Sequence, residues 1–293
     1  MPISALFLVL AAAITHAAWN IIAHGSSRSG VPFLWWGLVA STLLWAAVVP
    51  VTGGLGTASA GAFLLGVGVS GALHVLYMLV LQRGYARGDL STVYATARGT
   101  APILTVVVAV ALLGERPGPG ALIGVLLVIG GVAAFGVVGR PGRGVRRRRF
   151  DPGLVYGLLT GVAIAAYTVW DAHAVAGTGI APVAFMVGCT LAEIPLFSVM
   201  LLLEQRGGAI ARLREELRRN RLRLLAFGVL SPLSYVLVLT AVTLAPVSLV
   251  APVREVSVVL VGLYGAIRYK ENRPVLRLLA AGIVVVGVLM VAL

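Results

Sequence analysis

The chain has 293 residues, of which 59% are hydrophobic and 11% charged, with a mean hydropathy of +1.01 and a formal net charge of +13. Soluble domains carry about 25% charged residues, so this composition excludes a water-soluble globular fold. The basic excess does not point to nucleic acid: Arg and Lys are confined to short segments between apolar runs, with no basic face interleaved with aromatics.

A membrane helix needs about 20 mostly apolar residues. In chain order the sequence offers ten such segments: 3–23, 31–51, 60–82, 90–113, 117–138, 152–172, 181–203, 224–243, 247–268 and 274–293. The first has no basic leader and no clear cleavage site, so it reads as a retained span rather than a signal peptide. Pro, Gly or charge clusters punctuate nearly every gap. The single cysteine, Cys189, lies inside an apolar run, which leaves no intramolecular disulfide and no cysteine metal site. No cofactor is implied.

Ten spans place alternate connections on opposite sides. One side then collects 20 of the 23 Arg and Lys residues, including the runs Arg140 to Arg149 and Arg206 to Arg223. The other side holds Arg116, while Arg98 and Arg254 lie inside spans. Positive residues stay cytoplasmic, so the arginine-rich connections should face the cytoplasm and both termini the outside. The preference for Arg over Lys reads as the mark of a GC-rich, bacterial genome, which makes the bacterial inner membrane the expected location. The two arginine-rich connections read as topology determinants; the second can form an amphipathic surface helix with Leu213 and Leu217 toward the lipid, which makes membrane lipids partners.

The halves repeat in register. Tyr94-Ala-Thr-Ala-Arg98 is followed 17 positions on by Glu115, and Val250-Ala-Pro-Val-Arg254 is followed 17 positions on by Glu271; both stretches run on to a proline, Pro117 and Pro274. Trp19-Asn20 pairs with Trp170-Asp171 at a similar offset. Five spans per half is an odd number, so the halves insert in opposite orientations as an inverted repeat, with a site at the midplane between them. The expected organisation is a first five-helix repeat over 1–138, a basic linker over 139–151 and a second repeat over 152–293.

Two five-helix repeats, a Trp at the end of helices 1 and 6, and Gly114-Glu115-Arg116-Pro117 closing helix 4 resemble the drug/metabolite transporter superfamily, EamA type. The resemblance spans the whole chain. It implies an all-α membrane fold, a ten-helix bundle with a central cavity, and export of a small solute by alternating access. The superfamily handles amino acids, drugs, nucleotide sugars and phosphorylated metabolites, so membership does not select a substrate. Two fused repeats can form a complete transporter as a monomer.

Ionisable groups inside spans are costly, on the order of 2.5–3.5 kcal/mol on insertion scales, and normally face a bundle interior or a wet cavity. Arg98 and its repeat partner Arg254 are the leading candidates. Inverted repeats should put them on opposite sides of the midplane, bracketing an anionic or zwitterionic solute with planar, permanently charged forks. The opposing expectation is that they only form ion pairs, with Glu255 or Glu193. Ser91, Tyr94, Arg98 and Thr105 lie near one helical face; Arg254, Ser257 and Tyr264 form the equivalent stripe, with Glu255 about 100° away. Glu193 is a candidate proton carrier or ion-pair partner. Asp171, at the end of span 6, is expected to be solvated near the outer surface, with a gate as its functional alternative. His16, with Trp19 and Asn20, and His74, with Ser70 and Tyr77, are candidate cavity residues or packing histidines. Trp170 is a candidate cavity wall, and Trp35 and Trp36 read as interfacial anchors. The glycines Gly153, Gly157, Gly161, Gly120 and Gly124 mark close helix packing.

Three functions compete on these residues. A secondary transporter for an anionic or zwitterionic metabolite follows from the arginine pair. Proton-coupled efflux of cations follows from Glu193 and Glu255. A lipid flippase would use the arginines on a phosphate. No cluster of catalytic groups near one interface supports an enzyme, and no His, Asp and Glu set has metal-ligand spacing.

Overall fold

The computed structural model of the protein describes residues 1–23, 30–88, 90–138, 152–205, 207–269 and 274–293. The described residues form helices α1 (Ile3–Ala23), α2 (Val31–Ala46), α3 (Ala60–Arg87), α4 (Leu90–Leu112), α5 (Pro119–Val138), α6 (Pro152–Ala172), α7 (Pro182–Gln205), α8 (Ala209–Val242), α9 (Val247–Arg254), α10 (Val256–Tyr269) and α11 (Pro274–Ala292). Each of the ten apolar segments coincides with one of these helices or, for the ninth, with a pair. Eight helical stretches are long and apolar enough to cross a membrane, and α2 and α5 are shorter apolar helices. The protein is an integral membrane protein, and its surface agrees: Leu64, Leu126, Leu202 and Leu289 all lie more than half exposed, as lipid-facing side chains must. The linker 139–151, Arg28, Arg206, Lys270, Glu271 and Arg273 lie outside the described residues, as does the placement of the Ser91 side chain.

Four details depart from the expected spans. The second span stops at Ala46; a 3-10 turn at Pro50–Thr52 and left-handed Gly53 and Gly54 turn the chain instead. The eighth span and the arginine-rich segment before it fuse into one helix, α8, kinked at Asn220 (φ −121°). Leu213 consequently does not face lipid: it packs with Phe197, Leu201 and Trp35, and its carbonyl accepts the Trp36 indole N–H at 2.9 Å. Trp35 donates to Ser198 Oγ at 2.8 Å, so both tryptophans brace α2 against its neighbours. The ninth span breaks between Arg254 and Glu255. Pro252 has no N–H to continue the helix, and the Glu255 N–H turns back to the Pro252 carbonyl at 3.0 Å. Arg277, expected among the cytoplasmic charges, is buried in α11 and donates to the Gly262 carbonyl at 3.3 Å.

Helices pack in matched pairs. α1 lies against α8 and the α9–α10 pair, and α3 against α6; α2 packs on α7 and α8, and α3 also on α7; α4 meets α6 and α9, and α5 meets α11. Small residues let these backbones approach. A Cβ on Gly157 or Gly161 would meet the Cβ of Thr96 or Thr100 on α4 at 2.6 and 2.8 Å, and one on Gly124 would meet the Gly287 carbonyl of α11 at 2.7 Å. Gly153 lies against Gly88, whereas Gly120 faces open space and packs nothing. The largest buried cluster, including Val9, Val128, Val250, Val253 and Val284, ties α1, α5, α9 and α11 together. α1–α4 and α6–α9 surround a central hollow.

Candidate functional site

The hollow is a cavity of about 460 Å³, within the usual range for small-ligand pockets. Of the residues expected to bind solute, it is lined by His16 and Trp19 from α1, His74 and Tyr77 from α3, Tyr94 and Arg98 from α4, and Arg254 from α9; Glu193 of α7 also reaches it.

The arginines do not bracket the cavity from two sides. They converge on Glu255. Arg98 Nη1 donates to both carboxylate oxygens at 3.3 and 3.4 Å, and Arg254 Nη2 lies 3.6 Å from Oε1. The break after α9 makes this possible: it turns Glu255 behind the two guanidiniums. Glu255 is 3% exposed, while Arg98 and Arg254 keep 17% and 14% of their side chains open. Two cations and one anion leave one formal positive charge, and the open faces of the arginines carry it to the cavity wall. The Tyr94 ring lies beneath Arg98, with the guanidinium carbon 5.4 Å from its centroid, a cation–π contact that leaves the donors free.

Glu193 has a different setting. Among the described residues it makes no hydrogen bond and no ion pair, so it is not the partner of either arginine. α7 carries it to the cavity just before Pro195, whose missing N–H leaves a free backbone carbonyl one turn earlier.

The structure corrects Asp171. It is not solvated at a helix end but 3% exposed, because the chain continues past α6 into a π-helical turn at His173–Gly177. Its two oxygens accept hydrogen bonds from Ser70 Oγ at 2.6 Å and Tyr235 OH at 2.7 Å. Three other expected cavity residues lie elsewhere. Trp170 donates to the Gly66 carbonyl at 2.9 Å and packs α6 on α3. Ser257 is buried outside the cavity, and Tyr264 is 46% exposed on the outer face of α10. Both follow from the break at Arg254: α10 starts a new helix, so the stripe read through it does not continue. Thr105 is turned into its own helix, donating to Ala101 O at 2.9 Å.

The two histidines differ. His16 sits edge-on to Trp19 at 5.0 Å. His74 stacks on Tyr167 at 4.2 Å, and its Nδ1 lies 3.0 Å from the Ser70 carbonyl. Sequence reasoning missed Tyr167, Tyr235 and the α8 stripe Ser231, Ser234, Tyr235 and Val238, all on the cavity wall. Their i, i+3, i+4, i+7 spacing is a legible helical face. It also missed the task of Glu115, whose Oε1 and Oε2 accept the backbone N–H groups of Val247 and Ser248 at 2.9 and 3.0 Å. That carboxylate satisfies the free donors at the start of α9 and sits at the positive end of its dipole.

Comparisons with known proteins agree with this architecture. A solved structure described only as "Crystal structure of protein" aligns over 99% of this chain and 98% of its own, with a TM-score of 0.74 at 16% identity, a likeness of fold. No curated protein matches the sequence. The EamA-like transporter family matches residues 151–293, the half that carries Asp171, Glu193, Arg254 and Glu255. Over that half, from the start of α6 to the end of α11, the chain is a member of the EamA-like transporter family.

Proposed function

We propose that the protein is a secondary transporter for a small zwitterionic solute, moved by alternating access of two inverted five-helix halves around the central cavity. The observation that carries this reading is the division of charge on the cavity wall. Arg98 and Arg254, only half compensated by Glu255, offer donors to a carboxylate or phosphate; Glu193, without a partner among the described residues, offers an acceptor to an ammonium group. An ion between ends of opposite charge is held by both, and its own two charges offset the desolvation of the wall. Tyr77, Tyr94 and Tyr167 supply apolar faces with polar tips for the part between.

The inverted arrangement is supported by the packing pairs. Exchanging each helix of the first half for its counterpart turns the α1–α8 contact into α6–α3, and leaves α2–α7 and α5–α11 as they are. Inverted halves place a site near the midplane and open it to each side in turn. With the arginine-rich connections cytoplasmic, export is the direction that the family resemblance suggests.

The test is a thermal-shift screen of the purified protein with glycine, acetate, phosphate and tetramethylammonium as probes. Stabilisation by glycine that is lost in both Arg98→Gln/Arg254→Gln and Glu193→Gln supports the reading. Stabilisation by tetramethylammonium that survives in the arginine variant would replace it with cation efflux through Glu193. A response to phosphate alone would favour an anion or a lipid headgroup as cargo.

A further inference from the structure

Asp171 takes no part in the solute contacts above, yet it is a buried carboxyl in a membrane-spanning helix, an expensive placement for a charge. Glu255, equally buried, has two guanidiniums. Asp171 has two neutral hydroxyls, Ser70 and Tyr235, and no ion pair reaches it among the described residues. The groups that face it are Ser70 and His74 from α3, Tyr235 from α8, Cys189 and Glu193 from α7, and Arg254 from α9.

Two of these contacts connect Asp171 to the cavity. Ser70 Oγ, which donates to Asp171 Oδ1, also lies 3.3 Å from His74 Nδ1. His74 Nδ1 is 3.0 Å from the Ser70 carbonyl, which can only accept, so Nδ1 carries the hydrogen and Nε2 is the basic atom of the neutral ring. His74 itself lines the cavity. On its other side Asp171 shares a void of about 10 Å³ with Tyr235 and Arg254, about the space of one water. The π-helical turn directly after α6 adds a second sign, since such turns occur often at functional sites.

We propose that Asp171 is a proton-binding site wired to the cavity through Ser70 and His74. A proton from cavity water binds His74 Nε2. The Nδ1 hydrogen passes to Ser70 Oγ as the Ser70 hydroxyl hydrogen passes to Asp171 Oδ1. The ring is left neutral, the serine is restored, and the carboxyl is protonated; release runs the same exchange backward. Loading the proton removes the negative charge that Arg254 faces across the water-sized void, which links proton load to the arginine that lines the solute site. That last link rests on the transporter reading; the proton site and its wire do not.

The experiment is an infrared pH titration of the full chain in lipid, without solute, reading the protonated-carboxyl band. The comparison is made in the Glu193→Gln background, where the second unpartnered carboxyl is absent: Glu193→Gln should show a carboxyl that titrates within the range where the protein stays folded, and Asp171→Asn/Glu193→Gln should lose it. No titrating band in Glu193→Gln, or the same band in Asp171→Asn/Glu193→Gln, overturns the site. Ser70→Ala keeps the carboxyl and cuts the wire, so loading after a pH jump should slow by about tenfold or more; an unchanged rate overturns the wire. His74→Phe, which keeps a ring to stack on Tyr167, should slow it similarly. A protein that moves no solute but keeps the Asp171 titration sinks the transport reading alone, and a transporter without that titration sinks this proposal alone.

Discussion

Arg98 and Glu255 lie 157 residues apart in the chain, yet one guanidinium nitrogen of the first meets both carboxylate oxygens of the second, at 3.3 and 3.4 Å. The contact joins α4 of the first half to the break between α9 and α10 in the second. Removing one member of a buried ion pair strands the other, a loss of about 3–5 kcal/mol. Glu255→Gln and Arg98→Gln should therefore each lower the thermal unfolding midpoint in detergent, and Arg98→Gln/Glu255→Gln should lower it by less than the sum of the two. A double variant whose loss equals the sum of the single losses would show that the two side chains do not interact.

Glu115 should matter to α9 rather than to the cavity wall. Hydrogen bonds to a charged group contribute roughly 1.5–3 kcal/mol, and Gln retains one acceptor oxygen of two. Glu115→Gln is expected to cost about 1–2 kcal/mol and to speed amide exchange at Val247 and Ser248, with little change at α1. Unchanged exchange at both amides would remove the capping role.

The ten helical segments, the interior position of Arg98 and Arg254, and the close approach at Gly157 and Gly161 were legible in the sequence, because each rests on local rules: apolar length, the cost of a buried charge, and small residues at fixed spacing. The site was legible in part. His16, Trp19, His74, Tyr77 and Tyr94 reach the cavity with the arginines, but Ser257, Tyr264 and Trp170 do not. Tyr264 was misplaced because the stripe assumed a straight ninth span, whereas the chain breaks after Arg254, where the Glu255 N–H turns back to the Pro252 carbonyl. Asp171 was misplaced because its partners, Ser70 and Tyr235, come from other helices, 101 and 64 residues away.

Helix spacing provides a third test. Gly157→Val would drive side-chain atoms into Thr96 on α4, whose Cβ lies only 2.6 Å from the point where a side chain at position 157 would begin, whereas Gly120 has nothing within 4 Å. Overpacking of this kind costs about 1–3 kcal/mol. Gly157→Val should unfold at clearly lower temperature, and Gly120→Val should not; equal midpoints would show that α4 and α6 do not need their close approach.

The cavity and the outer face should differ in solute binding rather than in stability. Tyr264→Phe changes an exposed ring and should alter stability by less than about 0.5 kcal/mol and leave glycine stabilisation as in the wild type. Glu193→Gln, with no ion pair to break among the described residues, should leave the unliganded unfolding midpoint nearly unchanged while weakening glycine binding by about tenfold or more. A large drop in midpoint for Glu193→Gln in the absence of solute would assign that side chain a structural task instead.

Cys189 is the only cysteine in the sequence; α7 carries it to the cavity wall, where it is 1% exposed. The protein therefore comes with a built-in reporter at its centre. A thiol-reactive dye needs no engineered background to mark one position. A thiol this buried reacts only when the cavity around it opens, so under the proposed alternating access its rate of attachment from either face of a sealed vesicle should report the open side, and bound solute should slow it.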